Sequence, residues 1–133
     1  MVGVIIVSHS EKVAQGAKEL AEQMAPQAPI AAAGGLPDGG IGTDYQRIHD
    51  AVEAVAHEDG AVVLIDMGSA IMTTEMVLEE FADKNVRMID GPIVEGAIVA
   101  ALGSQMGLSV EDIMEQVASA KTENKLARTE SQQ

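Results

Sequence analysis

The feature that most constrains this chain is its opening run, Val2-Gly3-Val4-Ile5-Ile6-Val7, rich in β-branched residues and free of charge. Such a run suits a strand covered on both faces, as in a parallel sheet with crossover helices above and below. It stops at Ser8-His9-Ser10-Glu11, after which apolar residues recur at helical spacing. Ser8 with Glu11 three residues on predicts a capping box, which sets His9 at the first helical position. His9 then stands at the carboxyl end of a first strand and the amino end of a first helix. Open α/β sheets gather their chemistry at that place, and the N–H groups of a helix start can hold an anion.

The remaining pattern alternates between strand and helix. Val13, Ala17, Leu20, Ala21 and Met24 predict the buried stripe of a helix over residues 10–24, which Pro26 and Pro29 close. Residues 30–33 form a short, alanine-rich strand candidate. Five glycines in the nine residues 34–42 predict a mobile loop, either a plain connection or a backbone surface beside the site. It is not a P-loop, since no Gly-Lys-Ser/Thr follows. Thr43 and Gln46 predict a second capping box, with Ile48, Val52 and Val55 inward and the helix running to about His57. Residues 61–65 repeat the charge-free strand signal and end in Asp66-Met67-Gly68-Ser69. Ser69 can cap a helix to about Ala82, on which Ile71, Val77, Leu78 and Phe81 would form the apolar face.

Residues 86–89 make a fourth strand, and 93–106 a helix apolar almost all round, with Glu95 as its one charge. A helix without a polar face is usually covered on every side, and a subunit interface can do that. Ser109 caps the last helix, with Ile113 and Val117 inward. The order predicts a doubly wound, mainly parallel four-stranded sheet of order 2-1-3-4 flanked by helices. The expected division is one domain over residues 1–120 and a frayed polar tail over 121–133.

That topology makes the first and third strands neighbours and brings His9 and Asp66 to one crevice. A neutral imidazole, with an ordinary pKa of about 6.5, is a nucleophile that can take up a phosphoryl group. Asp66 would bind one ring nitrogen, fix the tautomer and stabilise the positive ring as the group arrives. N–H groups at Ser10, Gly68 and Ser69 would meet the phosphoryl oxygens, because phosphoryl transfer depends mainly on positioning and hydrogen bonding. No nucleotide loop and no carboxylate cluster of the Mg²⁺-holding kind stand in the sequence, which points to a relay rather than a complete kinase. Bland readings stand beside these: a capping histidine at 9, a turn or cap aspartate at 66, and methionines as core filler. His49 is read as a surface residue, His57 as a cation suited to a helix end, and Glu95 as a helix-start or interface residue.

The formal net charge of −13 argues against nucleic acid and anionic membranes as partners. With no Cys, thiol chemistry and disulfides are excluded, and a reducing cytoplasmic setting fits. The opening run lacks a basic flank and is too short for a signal peptide or membrane span.

Four segments in order resemble the mannose-type EIIA domains of the bacterial phosphotransferase system. They are strand-Ser8-His9-Ser10, the glycine loop leading to Gly42-Thr43, Val62-Val63-Leu64-Ile65-Asp66-Met67-Gly68-Ser69-Ala70, and Pro92-Ile93-Val94-Glu95-Gly96-Ala97. Asp66-Met67-Gly68-Ser69 and Val94-Glu95-Gly96-Ala97 resemble the branch that serves phosphoenolpyruvate-dependent dihydroxyacetone kinase. The sugar-transporter branch typically has Gly-Gly-Ser-Pro in the counterpart loop. The resemblance implies phosphorylation of His9 on its tele nitrogen, with Asp66 hydrogen-bonded to it, and no cofactor. It implies HPr as donor, ADP held in the DhaL subunit as acceptor, DhaK as the indirect beneficiary, and a homodimer. Because the sequence stops at Gln133, a separate HPr is expected; exchange of a C-terminal strand stays open. Two other functions stay open as well: delivery to the EIIB domain of a sugar transporter, and a non-catalytic module binding a metabolite in the crevice.

Overall fold

The computed structural model describes residues 1–122 and Leu126. The expected frayed tail therefore lies outside the described residues, apart from Leu126 and from Lys121 and Thr122, which complete the last helix.

Four strands, β1 (Gly3–Ser8), β2 (Ile30–Gly34), β3 (Ala61–Ile65) and β4 (Val86–Ile89), form one parallel sheet of order β2-β1-β3-β4. Residues along a strand alternate in facing, and the two faces of β1 feed two cores. Val4 and Ile6 pack with α1 (Glu11–Met24), α4 (Ile93–Gln105) and α5 (Val110–Thr122). Ile5 and Val7 pack with α2 (Tyr45–Val55) and α3 (Ile71–Leu78). All four side chains are fully buried, and each such aliphatic side chain contributes roughly 1.5–3 kcal/mol relative to exposure. Two central strands covered on both faces explain why their sequence reads as unbroken apolar runs.

Helix α1 buries a different stripe from the one its large residues suggest. Ala14, Ala17 and Ala21 face inward, whereas Val13, Leu20 and Met24 are about half exposed. The alanine face allows close approach to β2, itself built from small residues. Gly34 is the tightest point: a Cβ there would lie 2.5 Å from the Ser10 carbonyl oxygen and 2.8 Å from Ala14 Cβ.

Helix α4 lies in the same layer as α1 and α5 and packs against both. Its small residues Gly96, Ala97, Ala100, Ala101 and Ser104 are buried. Ile98 and Leu102 pack against the core yet stay partly exposed, and Val94 and Met106, at the same four-residue spacing, are exposed. The all-apolar composition thus reflects neighbours on three sides, while the stripe from Val94 to Met106 is not fully covered within the chain. Most of the methionines are not core filler: Met1, Met24, Met67, Met72, Met76 and Met106 are all about half exposed or more, whereas Met88 and Met114 pack against the two cores. An unbranched, flexible thioether side chain fits a surface as readily as a gap in a core.

The second and last helices follow their expected inward residues, with Ile48, Val52, Val55, Ile113 and Val117 all buried. The cap of α2 is Asp44 rather than Thr43, its carboxylate accepting from the Arg47 N–H at 2.9 Å. Gln46 donates instead to Asp50 one turn on. Ser109 caps α5 through the Asp112 N–H.

Candidate active site at the carboxyl ends of the central strands

Strand β1 runs one residue further than its apolar run, to Ser8, which pairs with Gly34. This displaces the helix start. Ser10, extended at φ −117°, caps α1 by accepting from the Val13 N–H, so His9 precedes the helix and is not its first residue. Ser8 is no cap for α1. Its Oγ accepts from the Ser10 N–H at 3.0 Å and donates to Asp66 Oδ2 at 2.8 Å.

Val7 pairs with Ile65 in the β1–β3 register, so the next residues, Ser8 and Asp66, meet just past the end of the ladder. The Asp66 N–H reaches the Val7 carbonyl, and Asp66 Oδ2 accepts from the His9 N–H at 3.0 Å. Its other oxygen, Oδ1, lies 3.0 Å from His9 Nδ1. Across the ring, Ser69 Oγ lies 2.7 Å from His9 Nε2. The His9 and Asp66 side chains are only 15 % and 18 % exposed.

Directions follow from the inventory of donors. Burial pushes the Asp66 carboxyl up, but hydrogen bonds from the His9 N–H, the His9 ring and the Ser8 hydroxyl outweigh it, and its pKa falls below the ordinary value. The group is then an ionised, acceptor-only carboxylate at neutral pH. In neutral His9 the proton therefore sits on Nδ1, donated to Oδ1, and Nε2 carries the lone pair. The Ser69 hydroxyl donates to that lone pair. The arrangement presents one nucleophilic nitrogen, aimed away from Asp66, next to a hydroxyl that can turn.

Ser69 occupies a 3₁₀ turn, Gly68–Ala70, rather than a helix cap. That turn leads into α3, and a second, Glu79–Phe81, follows it, so the helix expected to reach Ala82 is shorter. On its apolar face Val77 is buried, whereas Ile71 is exposed. The Ser10 N–H is taken by Ser8 Oγ, while its hydroxyl accepts from the Val13 N–H and keeps its own proton to donate. Space beside Gly68 is open, the nearest side-chain atom to a Cβ there being Ile71 Cδ1 at 4.0 Å.

The glycine loop is tied down at the site. Gly35, at φ +70°, donates its N–H to the Ser8 carbonyl, and Gly42 donates to the His9 carbonyl. Internal bonds between Leu36 and Gly39, Leu36 and Gly40, and Gly40 and Asp38 fold the segment between them. A cavity of about 390 Å³ opens on the other side of Asp66, between the ends of β3 and β4, lined by Ile65, Met67, Ile71 and Met88 among others. His9 does not line it.

The other histidines stand apart from this constellation. His49 is half-buried rather than on the surface, its ring between Tyr45 and Phe81 and its Nε2 3.5 Å from Glu80. His57 is exposed and forms an isolated bridge with Gly60. Glu95 sits in the first turn of α4, where a negative charge suits the helix dipole. The residue that sequence reasoning misplaced is Ser8, assigned to helix capping; the β1–β3 register is the signal that would have moved it to Asp66.

Among the described residues no helix is long and apolar enough to cross a membrane. A family model described as the PTS system fructose IIA component, EIIA-man, matches residues 3–114. The phosphotransferase subunit DhaM of the PTS-dependent dihydroxyacetone kinase of Lactococcus lactis is 36% identical over 115 residues, covering 86% of this chain and 92% of its own. The phosphoryl donor subunit DhaM of the PEP-dependent dihydroxyacetone kinase of Escherichia coli is 37% identical over 121 residues. Here the match again covers 86% of this chain, but only 26% of that much longer relative. The crystal structure of the phosphotransferase system component EIIA from Streptococcus agalactiae superposes with a TM-score of 0.72 over 96% of this chain and 99% of that one; at 19% identity it shows the fold alone. By the family match and the similarity to the Lactococcus subunit over most of both chains, this chain belongs to the EIIA-man family and, within it, to the DhaM phosphotransferase subunits.

Proposed function

We propose that the chain is a phosphohistidine carrier: it accepts a phosphoryl group from HPr on Nε2 of His9 and passes it to ADP held in a DhaL subunit. The ATP so formed serves phosphorylation of dihydroxyacetone on DhaK. The observation that carries this reading is the line Asp66–His9–Ser69, in which a carboxylate holds the proton on Nδ1 and leaves Nε2 as the nucleophile. As Nε2 bonds to phosphorus and the donor's phosphorus–nitrogen bond breaks, the ring becomes cationic and Asp66 stabilises it. Ser69, released from Nε2, then offers its hydroxyl to a phosphoryl oxygen, together with the N–H of Gly68 in the open space beside it. Ser10, whose N–H is held by Ser8, contributes its hydroxyl proton to the same phosphoryl group. Return of the group to an acceptor oxygen restores the neutral ring.

The acidic chain suits basic partner surfaces and a cytoplasmic setting, and the partly exposed stripe on α4 suits a homodimer. Incubation with phosphoenolpyruvate, enzyme I and HPr is expected to add one acid-labile phosphoryl group per chain, which then moves to ADP on DhaL. His9→Ala should take up none, and labelling of His9→Ala at the wild-type level would overturn the assignment. Label moving to an EIIB protein but not to DhaL would redirect it to sugar transport.

A further inference from the structure

Ser8 is a hydroxyl residue with no exposed surface, placed at the last position of the central strand. A turn serine that only receives the N–H two residues on needs an acceptor and nothing more. Here the acceptor half is used by the Ser10 N–H, and the single remaining proton points to a carboxylate. A carboxylate cannot donate, so the direction of that bond is fixed without reference to any hydrogen position. Asp66 thus receives two bonds on Oδ2, from Ser8 and from the His9 N–H, and faces the imidazole with Oδ1 alone.

We propose that Ser8 is a positioning residue of this site: its hydroxyl holds the Asp66 carboxylate in the rotamer that keeps the His9 proton on Nδ1 and the lone pair on Nε2. The proposal rests on His9 as the phosphoryl acceptor, but the link between Ser8 and Asp66 can be measured without any partner protein. Losing the hydroxyl leaves Oδ2 with one donor, frees the carboxylate to turn, and removes a bond that favours its ionised form. Nucleophilicity at Nε2 then suffers although neither His9 nor Asp66 has changed.

The test reads the Asp66 carboxyl by ¹³C NMR and the His9 ring nitrogens by ¹⁵N NMR across acid to neutral pH, with phosphoryl uptake from HPr measured separately. In Ser8→Ala the Asp66 midpoint should move up, the ring should become a mixture of tautomers, and uptake should fall about tenfold, the scale of a lost bond to a charged group. Ser8→Thr, which keeps the hydroxyl, should restore all three. Should Ser8→Ala fail to fold, Ser8→Cys, similar in size but a weaker donor, is read the same way. A folded Ser8→Ala or Ser8→Cys with a wild-type Asp66 midpoint and wild-type uptake overturns the proposal, even if its melting temperature is lower. If wild-type protein takes up no phosphoryl group, the carrier reading falls, while the Asp66 titration still decides the role of Ser8.

Discussion

At the scale of single residues, three donors (the Ser8 hydroxyl, the His9 N–H and the His9 ring) converge on one acceptor carboxylate, and that carboxylate, Asp66, is the weak point. Asp66→Asn keeps the volume but supplies an amide that can donate to Nδ1, which puts the ring proton on Nε2 and removes the nucleophile. Phosphoryl uptake should fall by roughly tenfold or more, the effect of misorienting a catalytic imidazole, as measured by label transfer from HPr; uptake at the wild-type rate would remove Asp66 from the mechanism. The same carboxyl links the site to stability. Its folded pKa lies below the ordinary 3.8, so its contribution is present above that value and is lost as pH falls through the lower folded one. The difference in urea midpoint between wild type and Asp66→Asn should therefore be larger near neutral pH than at about pH 3. A constant difference across that range would contradict it. The pairing of His9 with Asp66 was legible in the sequence because both follow charge-free strand runs. Ser8 was not, since a serine three residues before a glutamate reads first as a local cap.

At the scale of elements, strands were more legible than helix faces. An apolar run ending in polar residues marks a central strand with little ambiguity, and residues 61–65 coincide with β3. Helix α1 was legible in part: Ala17 and Ala21 are inward as expected, but close approach to an alanine-rich strand sets Ala14 beside them in place of Val13, Leu20 and Met24. Caps slipped by one or two residues wherever two candidate hydroxyl or carboxylate residues stood close together, at Ser8 and Ser10 and at Thr43 and Asp44. The close approach has a testable edge. Gly34→Ala places a Cβ against backbone that cannot move without shifting the start of α1. It should destabilise the fold by about 1–3 kcal/mol, the usual cost of overpacking, and slow phosphoryl uptake with it. Gly16→Ala, where a Cβ meets nothing within 4 Å, should be neutral or stabilising by denaturant titration.

At the scale of the whole molecule, topology was the most legible feature, since alternating strands and helices with right-handed crossovers leave few arrangements. What no single-chain pattern conveys is which apolar stripe would meet a second copy in the proposed homodimer. The four-residue spacing of Val94, Ile98, Leu102 and Met106 marks the partly uncovered side of α4. Ile98→Glu should convert a dimer to a folded monomer in sedimentation at micromolar concentration, with its circular dichroism retained. An unfolded Ile98→Glu would show that this position belongs to the core, and an unchanged dimer would move the interface elsewhere.

The surface methionines give the molecule a chemical exposure of a different kind. With no cysteine, thioethers are its only sulfur, and Met67, Met72 and Met76 stand in solvent on the stretch that carries Ser69. Peroxide transfers an oxygen atom to such a sulfur, leaving water and a polar sulfoxide. Mild peroxide should thus add mass in steps of one oxygen and weaken docking of a partner before it alters the imidazole. Replacement of the three by leucine should abolish that sensitivity, measured as uptake before and after treatment. A carrier without thiols can still register an oxidising environment, and methionine sulfoxide reductases would set how long the memory lasts.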